Sequence, residues 1–291
     1  MMGLKEALVD PFVEFGFMGR ALAGVLALAL GAAPIGVFLM LRRMSLIGDA
    51  MAHAILPGAA VGYLVAGFSL GAMTAGGLIA GFAVAVLAGL VARNTTLKED
   101  AALAAFYIIS LAAGVTLISA RSSNVDVLRV LFGSVLSLDD DTLVLLVAVT
   151  SITLLTLAIL YRGLVMEFVD SGFLASVSRV GGALHLTFLG IVVINLVAAF
   201  HALGTLLAVG ILILPAASAR LWTGNLTIMM ALAVVFAALA GLAGLLASYH
   251  YALASGPSII LAAGGLYLVS LLAGRSGGIL ARLLPRHHLE S

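Results

Sequence analysis

The chain has 291 residues, 63% hydrophobic and only 9% charged, with a formal net charge of +1 and a mean hydropathy of +1.26. Soluble domains carry roughly 25% charged residues, so this composition cannot cover a solvated surface, and so small a net charge offers nucleic acid no partner. The absence of cysteine excludes disulfides, thiolate metal sites and cysteine nucleophiles.

Apolar runs of about 17–25 residues, the length that crosses a hydrocarbon core of about 30 Å as a helix, recur from end to end. The short alternating segments of a membrane β-barrel do not occur. The expected fold is therefore all-α: a polytopic transmembrane helical bundle forming one domain over residues 1–291. The N-terminal "MMGLKEALVDPFVEFGFMGR" mixes acids and bases and lacks a small-residue cleavage site, so no removable signal peptide is expected. Membrane segments are predicted at 16–41, 47–67, 70–91, 101–120, 142–161, 184–203, 205–221, 226–248 and 258–273. The junctions at 67–70 and 203–205 are so short that one segment is a candidate re-entrant or broken half-helix. The count is thus about eight or nine.

Positive charge gives the orientation. Arg42-Arg43, Arg93 with Lys98, Arg162 with Arg179, Arg220, and Arg275/Arg282/Arg286 fall in alternate connections, whereas 67–70, 203–205 and 249–257 hold no Lys or Arg. This pattern places the arginine-bearing connections and the C-terminus in the cytoplasm, and "RSSNVDVLRVLFGSVLSLDDD" at 121–141 outside or in the interface. The 33 glycines and 6 prolines suit close helix packing and broken helices. Gly58/Gly62 and Gly77/Gly81 are small-xxx-small pairs. The longest cytoplasmic connection, 162–183, mixes Phe168, Phe173, Leu174 and Val177 with Glu167, Asp170, Ser176 and Arg179, as a short amphipathic helix at a surface would. By composition it suits lipid headgroups and a docking protein about equally.

One helix stands out for its polar residues. In "MSLIGDAMAHAILPG", residues 44–58, Ser45, Asp49, His53 and Pro57 recur at the i, i+4 spacing that stacks side chains on one helical face. An ionised Asp at mid-bilayer costs about 2.5–3.5 kcal/mol on insertion scales, so Asp49 must face protein, water or an ion. Two readings are open at this point. Asp49 sits near the interface and pairs with Arg42 or Arg43, or Asp49 and His53 together touch a cation. Carboxylate plus imidazole suits Zn(II), Mn(II) or Fe(II) better than Cu(I). Two ligands fall short of the four to six that such ions take; a two-fold dimer meeting along this helix would supply two Asp and two His.

Other polar groups are weaker candidates. His201 lies alone among apolar residues at a segment junction, while His185 and His250 sit at segment ends and His287-His288 near the C-terminus. The ten methionines are scattered as gap-fillers. No P-loop exists, since Lys5 and Lys98 are the only lysines and neither follows a glycine, so the chain cannot hydrolyse ATP in the P-loop manner. H-E-x-x-H is absent as well. "GFSLG" at 67–71 matches G-x-S-x-G around Ser69, but two apolar helices meet there where a nucleophile elbow needs a strand before the serine.

Several stretches together resemble one family, the membrane permeases of ABC importers for zinc, manganese or iron(II). "RRMSLIGDAMAHAILPGAAVGYLVAG" at 42–67 resembles its G-D-x-x-x-H-x-x-x-P-G signature. "LKEDAALAAFYIISLAAGVTLIS" at 97–119, "LFGSVLSLDDDTL" at 131–143, "GTLLAVGILILPAASARLWT" at 204–223 and "SGPSIIL" at 255–261 resemble later blocks in the family's order. The resemblance implies a type II ABC-importer-like, homodimeric permease in the bacterial cytoplasmic membrane. It implies cytoplasmic ATP-binding subunits and an extracytoplasmic metal-binding protein as partners, with ATP hydrolysis on the separate subunit and no permanently bound cofactor. The family's metal-contacting Asp and His match Asp49 and His53. Its coupling helix corresponds to about 165–180, which implies docking roles for Glu167, Phe168, Asp170, Phe173 and Leu174. Two departures stand out: Ala252 and Ala254 occupy positions where Asp and Pro are common, and position 201, often Gln or Lys, is His; His201 or His250 is a candidate compensating ligand. The expected cargo is a divalent transition metal, zinc ahead of manganese or iron(II). The rival reading is a proton-coupled secondary transporter without an ATPase, and an intramembrane metalloenzyme ranks third.

Overall fold

The computed structural model describes residues 9–120 and 138–283, apart from 43, 45, 68, 170–172, 175, 177 and 179. Ser45, Arg43, Asp170, the stretch 121–137 and the His287-His288 pair therefore lie outside the described residues. Among those described, nine long helices form and no strand does: α1 Gly16–Leu41, α2 Leu46–Ala66, α3 Leu70–Asn94, α4 Glu99–Ala120, α5 Asp140–Val169, α6 Gly181–Leu203, α7 Thr205–Arg220, α8 Leu226–Tyr251 and α9 Ser255–Ala273. Seven of these are long and apolar enough to cross a membrane; the apolar stretches Asp100–Gly114 of α4 and Leu206–Arg220 of α7 are shorter. At a rise of 1.5 Å per residue α7 is only about 24 Å long.

The helices start and stop where local chemistry dictates. Ser69 accepts from Ala72 N at the start of α3, and Asn225 accepts from Thr227 N and Ile228 N at the start of α8. Asp139 caps α5 by accepting from Thr142 N at 2.9 Å. Hydrogen bonds from Thr142 hold the Asp139 carboxyl below its ordinary range. Between α6 and α7 the chain reverses at Gly204, whose φ of +82° a side chain would resist. α5 is longer than the predicted 142–161. Arg162 reads as a segment end, yet its long stem and Tyr161 are compatible with helix, so the helix continues to Val169. Glu167 and Phe168 thus form the last turn of α5, not a separate surface helix.

Consecutive helices run in opposite directions, and side-chain contacts sort their ends. Arg20 lies 3.7 Å from Asp140, and the Phe15 and Tyr249 rings are 5.7 Å apart, which brings together the starts of α1 and α5 and the end of α8. At the other end Arg42 meets Glu167 and His185, Tyr161 meets Thr227, and Ser276 donates to Trp222 O. Arg42, Arg162, Arg220 and Arg275 therefore collect at one end of the bundle.

α1 and α6 are buried on most sides and form the centre, whereas α3, α5 and α9 are the least buried of the spanning helices. Apolar all round, such helices have no polar face to direct packing, so small residues and buried polar groups fix it. A methyl on Gly58 or Gly62 of α2 would overlap the backbone of Gly76 or Ala72 on α3, and one on Gly36 of α1 would overlap Leu212 O of α7. Gly77 and Gly81 admit Ile55 of α2 and Val193 and Val197 of α6. In the centre Asn195 donates to Thr153 Oγ1 at 2.6 Å, and Thr150 donates to Ala27 O at 2.8 Å, which ties α1, α5 and α6 together.

At the end of α8, Ala252 takes a left-handed φ of +52°, while Ser248 donates to Leu253 O across the turn. A left-handed conformation costs a residue with a Cβ roughly 1–2 kcal/mol. Ala252→Gly is therefore expected to stabilise the protein by about 0.5–1 kcal/mol, read as a raised thermal midpoint in detergent; an unchanged or lower midpoint contradicts this.

Candidate functional site

The first two turns of α2 carry the Asp49–His53 pair. Asp49 sits in the opening turn, where the positive end of the helix dipole favours a carboxylate. His53 Nε2 lies 3.6 Å from Asp49 Oδ1, one turn further in; the Asp49 side chain is 57% exposed and that of His53 34%. One turn beyond, Pro57 is buried within the helix. Lacking an N–H, it cannot donate to the His53 carbonyl.

α4 completes the surroundings. The Tyr107 ring stacks on the His53 imidazole at 6.1 Å and 28°. A Cβ on Gly114 would press on Pro57, and Ser110 donates to Ala54 O at 3.2 Å, so α4 lies close along this face of α2. A cavity of about 170 Å³ opens between the two helices, lined by Asp49 and Asp100 together with Leu103 and Tyr107. His53 Nδ1 is buried and has no hydrogen-bond partner among the described residues. Asp100 went unselected in the sequence because it lies in a four-residue stretch of mixed charge, "LKED", that reads as a solvated helix start. Packing of α4 on α2 is what places it on the same cavity as Asp49.

The pairing of Asp49 with Arg42 does not form. Arg42 turns instead to Glu167 Oε1, 3.2 Å from its Nη2, and donates through Nη1 to His185 Nδ1 at 2.6 Å. Among the described residues no three His, Asp or Glu groups stand close enough to hold a metal ion. One chain thus offers the pair plus a second carboxylate across a cavity.

The remaining predicted residues are dispersed. His201 lies in the last turn of α6, at the end of the bundle opposite Asp49 and His53. Its Nδ1 donates to Val197 O at 2.9 Å, which leaves Nε2 as the acceptor nitrogen, buried and without a partner. Near the arginine-rich end, Phe173 is exposed, Leu174 is buried and Phe168 is half-buried. Glu167 is buried too, its carboxylate directed inward at Arg42.

Seven apolar helices of spanning length among the described residues describe a multi-pass membrane protein. The chain belongs to the ABC 3 transport family, whose model matches residues 14–274. It is 31% identical over 275 residues to the manganese transport system membrane protein MntC of Halalkalibacterium halodurans, covering 94% of this chain and 92% of that one. It is 28% identical over 292 residues to the zinc transport system membrane protein TroC of Treponema pallidum, covering 98% of each. Among solved structures, PsaBC from Streptococcus pneumoniae in complex with a Fab superposes with a TM-score of 0.83 at 29% identity, over 95% of this chain and 99% of that one. Membership places this protein in the bacterial cytoplasmic membrane as an ABC-type metal permease, and the proton-coupled secondary transporter is set aside.

Proposed function

We propose that this chain is the permease subunit of an ATP-driven importer of a divalent transition-metal ion, and that Asp49 and His53 touch the ion in transit. The observation that carries this is the pair itself: a carboxylate and an imidazole 3.6 Å apart on one helical face, beside an open cavity, with no third ligand close by among the described residues. An incomplete ligand set suits passage, because conduction requires a site weak enough to release. A second copy meeting along α2 would double the ligands to two Asp and two His. The cargo is manganese or zinc. Imidazole alone favours zinc, whereas a second carboxylate, Asp100, on the same cavity favours the harder manganese ion.

The nine helices cross the membrane, with the arginine-rich end and the C-terminus in the cytoplasm. Cytoplasmic ATP-binding subunits dock on the region 165–180 and an extracytoplasmic protein delivers the ion at the other end. Of the predicted docking residues that are described, Phe173 is the exposed one, and the docking reading is tested there. Phe173→Glu is expected to abolish co-purification of the ATP-binding subunits while leaving the permease in the membrane. Retention of those subunits at the wild-type ratio would remove this segment from the docking surface.

His201, at the outer end, is a second contact for the ion through its unpartnered Nε2. A lone neutral imidazole is a weak ligand, so His201→Ala is expected to slow uptake by about three- to tenfold without abolishing it. Uptake at the wild-type rate would leave His201 a core histidine.

A further inference from the structure

We propose that Arg42, Glu167 and His185 form a clasp through which movement of the end of α5 turns the Asp49–His53 helix, with Glu167 as a positioning residue for transport. The inference rests on the importer reading and adds how the two ends of its mechanism are joined. Glu167 lies on the last turn of α5, just ahead of the proposed docking stretch, and its burial means that it does not itself meet a partner subunit. Arg42 is the C-cap of α1, four residues ahead of the start of α2.

The guanidinium is held on three sides. Glu167 Oε1 lies 3.2 Å from Nη2, His185 Nδ1 accepts from Nη1 at 2.6 Å, and the Phe168 ring lies 4.9 Å below the guanidinium carbon. Phe168 in turn packs against Phe38 of α1 and Phe188 of α6, with ring centroids 5.4 and 4.8 Å away. Gly181 makes room for the carboxylate, since a Cβ there would sit 2.6 Å from Glu167 Oε2. Buried ion pairs are poor sources of stability and are better attested as devices that fix geometry. This one sits at the junction of α1, α2, α5 and α6.

Met44 N donates to Leu39 O at 2.9 Å and Ile47 N to Met44 O at 3.0 Å, so Met44 links the end of α1 to the first turn of α2. A displacement of Glu167 is delivered through Arg42 and the Met44 bonds to the helix start that carries Asp49. The same joint works in reverse, with an ion at Asp49 and His53 biasing the end of α5.

The test uses the complete importer in proteoliposomes. Because the chain has no cysteine, single spin labels at Leu46→Cys, on the first turn of α2, and at Met166→Cys, on the last turn of α5, report each end; both positions are exposed. With the native clasp, trapping by ATP and vanadate is expected to change the spectra of both labels. In Glu167→Gln the Met166 label is expected to respond and the Leu46 label not to. Uptake is expected to fall about tenfold while ATP hydrolysis stays within about twofold. Glu167→Asp, which keeps the charge, is expected to recover part of the uptake. Should Glu167→Gln fail to fold, Arg42→Lys is the substitute, because an ammonium lacks the planar fork that spans both partners. A Leu46 response and an uptake rate matching wild type in these variants overturn the clasp. Wild-type uptake that needs no ATP overturns the importer reading instead, and the clasp with it.

Discussion

Asp49→Ala and His53→Ala are each expected to reduce metal uptake by about a hundredfold or more, with the permease present in the membrane at normal amounts. Each substitution removes one of only two adjacent ligands in the chain, and in a dimer it does so twice. Neither side chain holds the bundle together: Asp49 is more exposed than buried, and truncating an exposed side chain shifts stability by only about 0.5 kcal/mol. Asp49→Asn sharpens the test, since it keeps the size and loses the charge, and should fail as Ala does. Asp100→Ala should weaken uptake less, because Asp100 shares the cavity but not the i, i+4 pairing. Uptake near the wild-type rate in both Asp49→Ala and His53→Ala would remove this pair from the ion's path.

Gly58→Leu should be among the most disruptive substitutions of a small residue in the chain's first half. A side chain there would overlap the carbonyl of Gly76 and crowd Ala80, and backbone cannot step aside as a flexible side chain can. Overpacking costs typically 1–3 kcal/mol and occasionally more, and a backbone overlap belongs at about 3 kcal/mol or above. The expected result is loss of monodisperse protein in detergent or a drop of many degrees in its melting temperature. Gly89→Ala is the control, since nothing lies within 4 Å of a Cβ at that position. Alanine is favoured over glycine in a helix by about 1 kcal/mol, so this variant should be neutral or more stable. Equal behaviour of the two variants would mean that α2 and α3 do not cross where these glycines meet.

Much of the architecture was legible because each apolar run is its own helix. The limits of α1 to α4 and α6 to α9 follow from hydropathy, Ser and Asn caps and glycine junctions, all of them local. The α5 extension was missed for a local reason as well: Arg162 looked like an end, but a long side chain at a helix's cytoplasmic edge can snorkel without stopping the helix. The Asp49–His53 pair was legible because its geometry lies within one helix. Asp100, the inward turn of Glu167 and the choice of His185 over Asp49 by Arg42 were not legible, because each depends on which neighbouring helix packs alongside. The glycine pairs Gly58/Gly62 and Gly77/Gly81 fall between these cases. Their spacing is visible in sequence, but a chain with 33 glycines contains many such spacings, and only packing shows which ones meet a facing backbone.

Uptake into proteoliposomes holding this chain, its ATP-binding subunits and its binding protein, with manganese and zinc competing and the proton gradient controlled, tests the central claim most directly. The account predicts uptake that requires ATP, survives collapse of the gradient, favours one of the two metals and fails in Asp49→Ala. Uptake that ignores ATP and stops when the proton gradient is dissipated would contradict it.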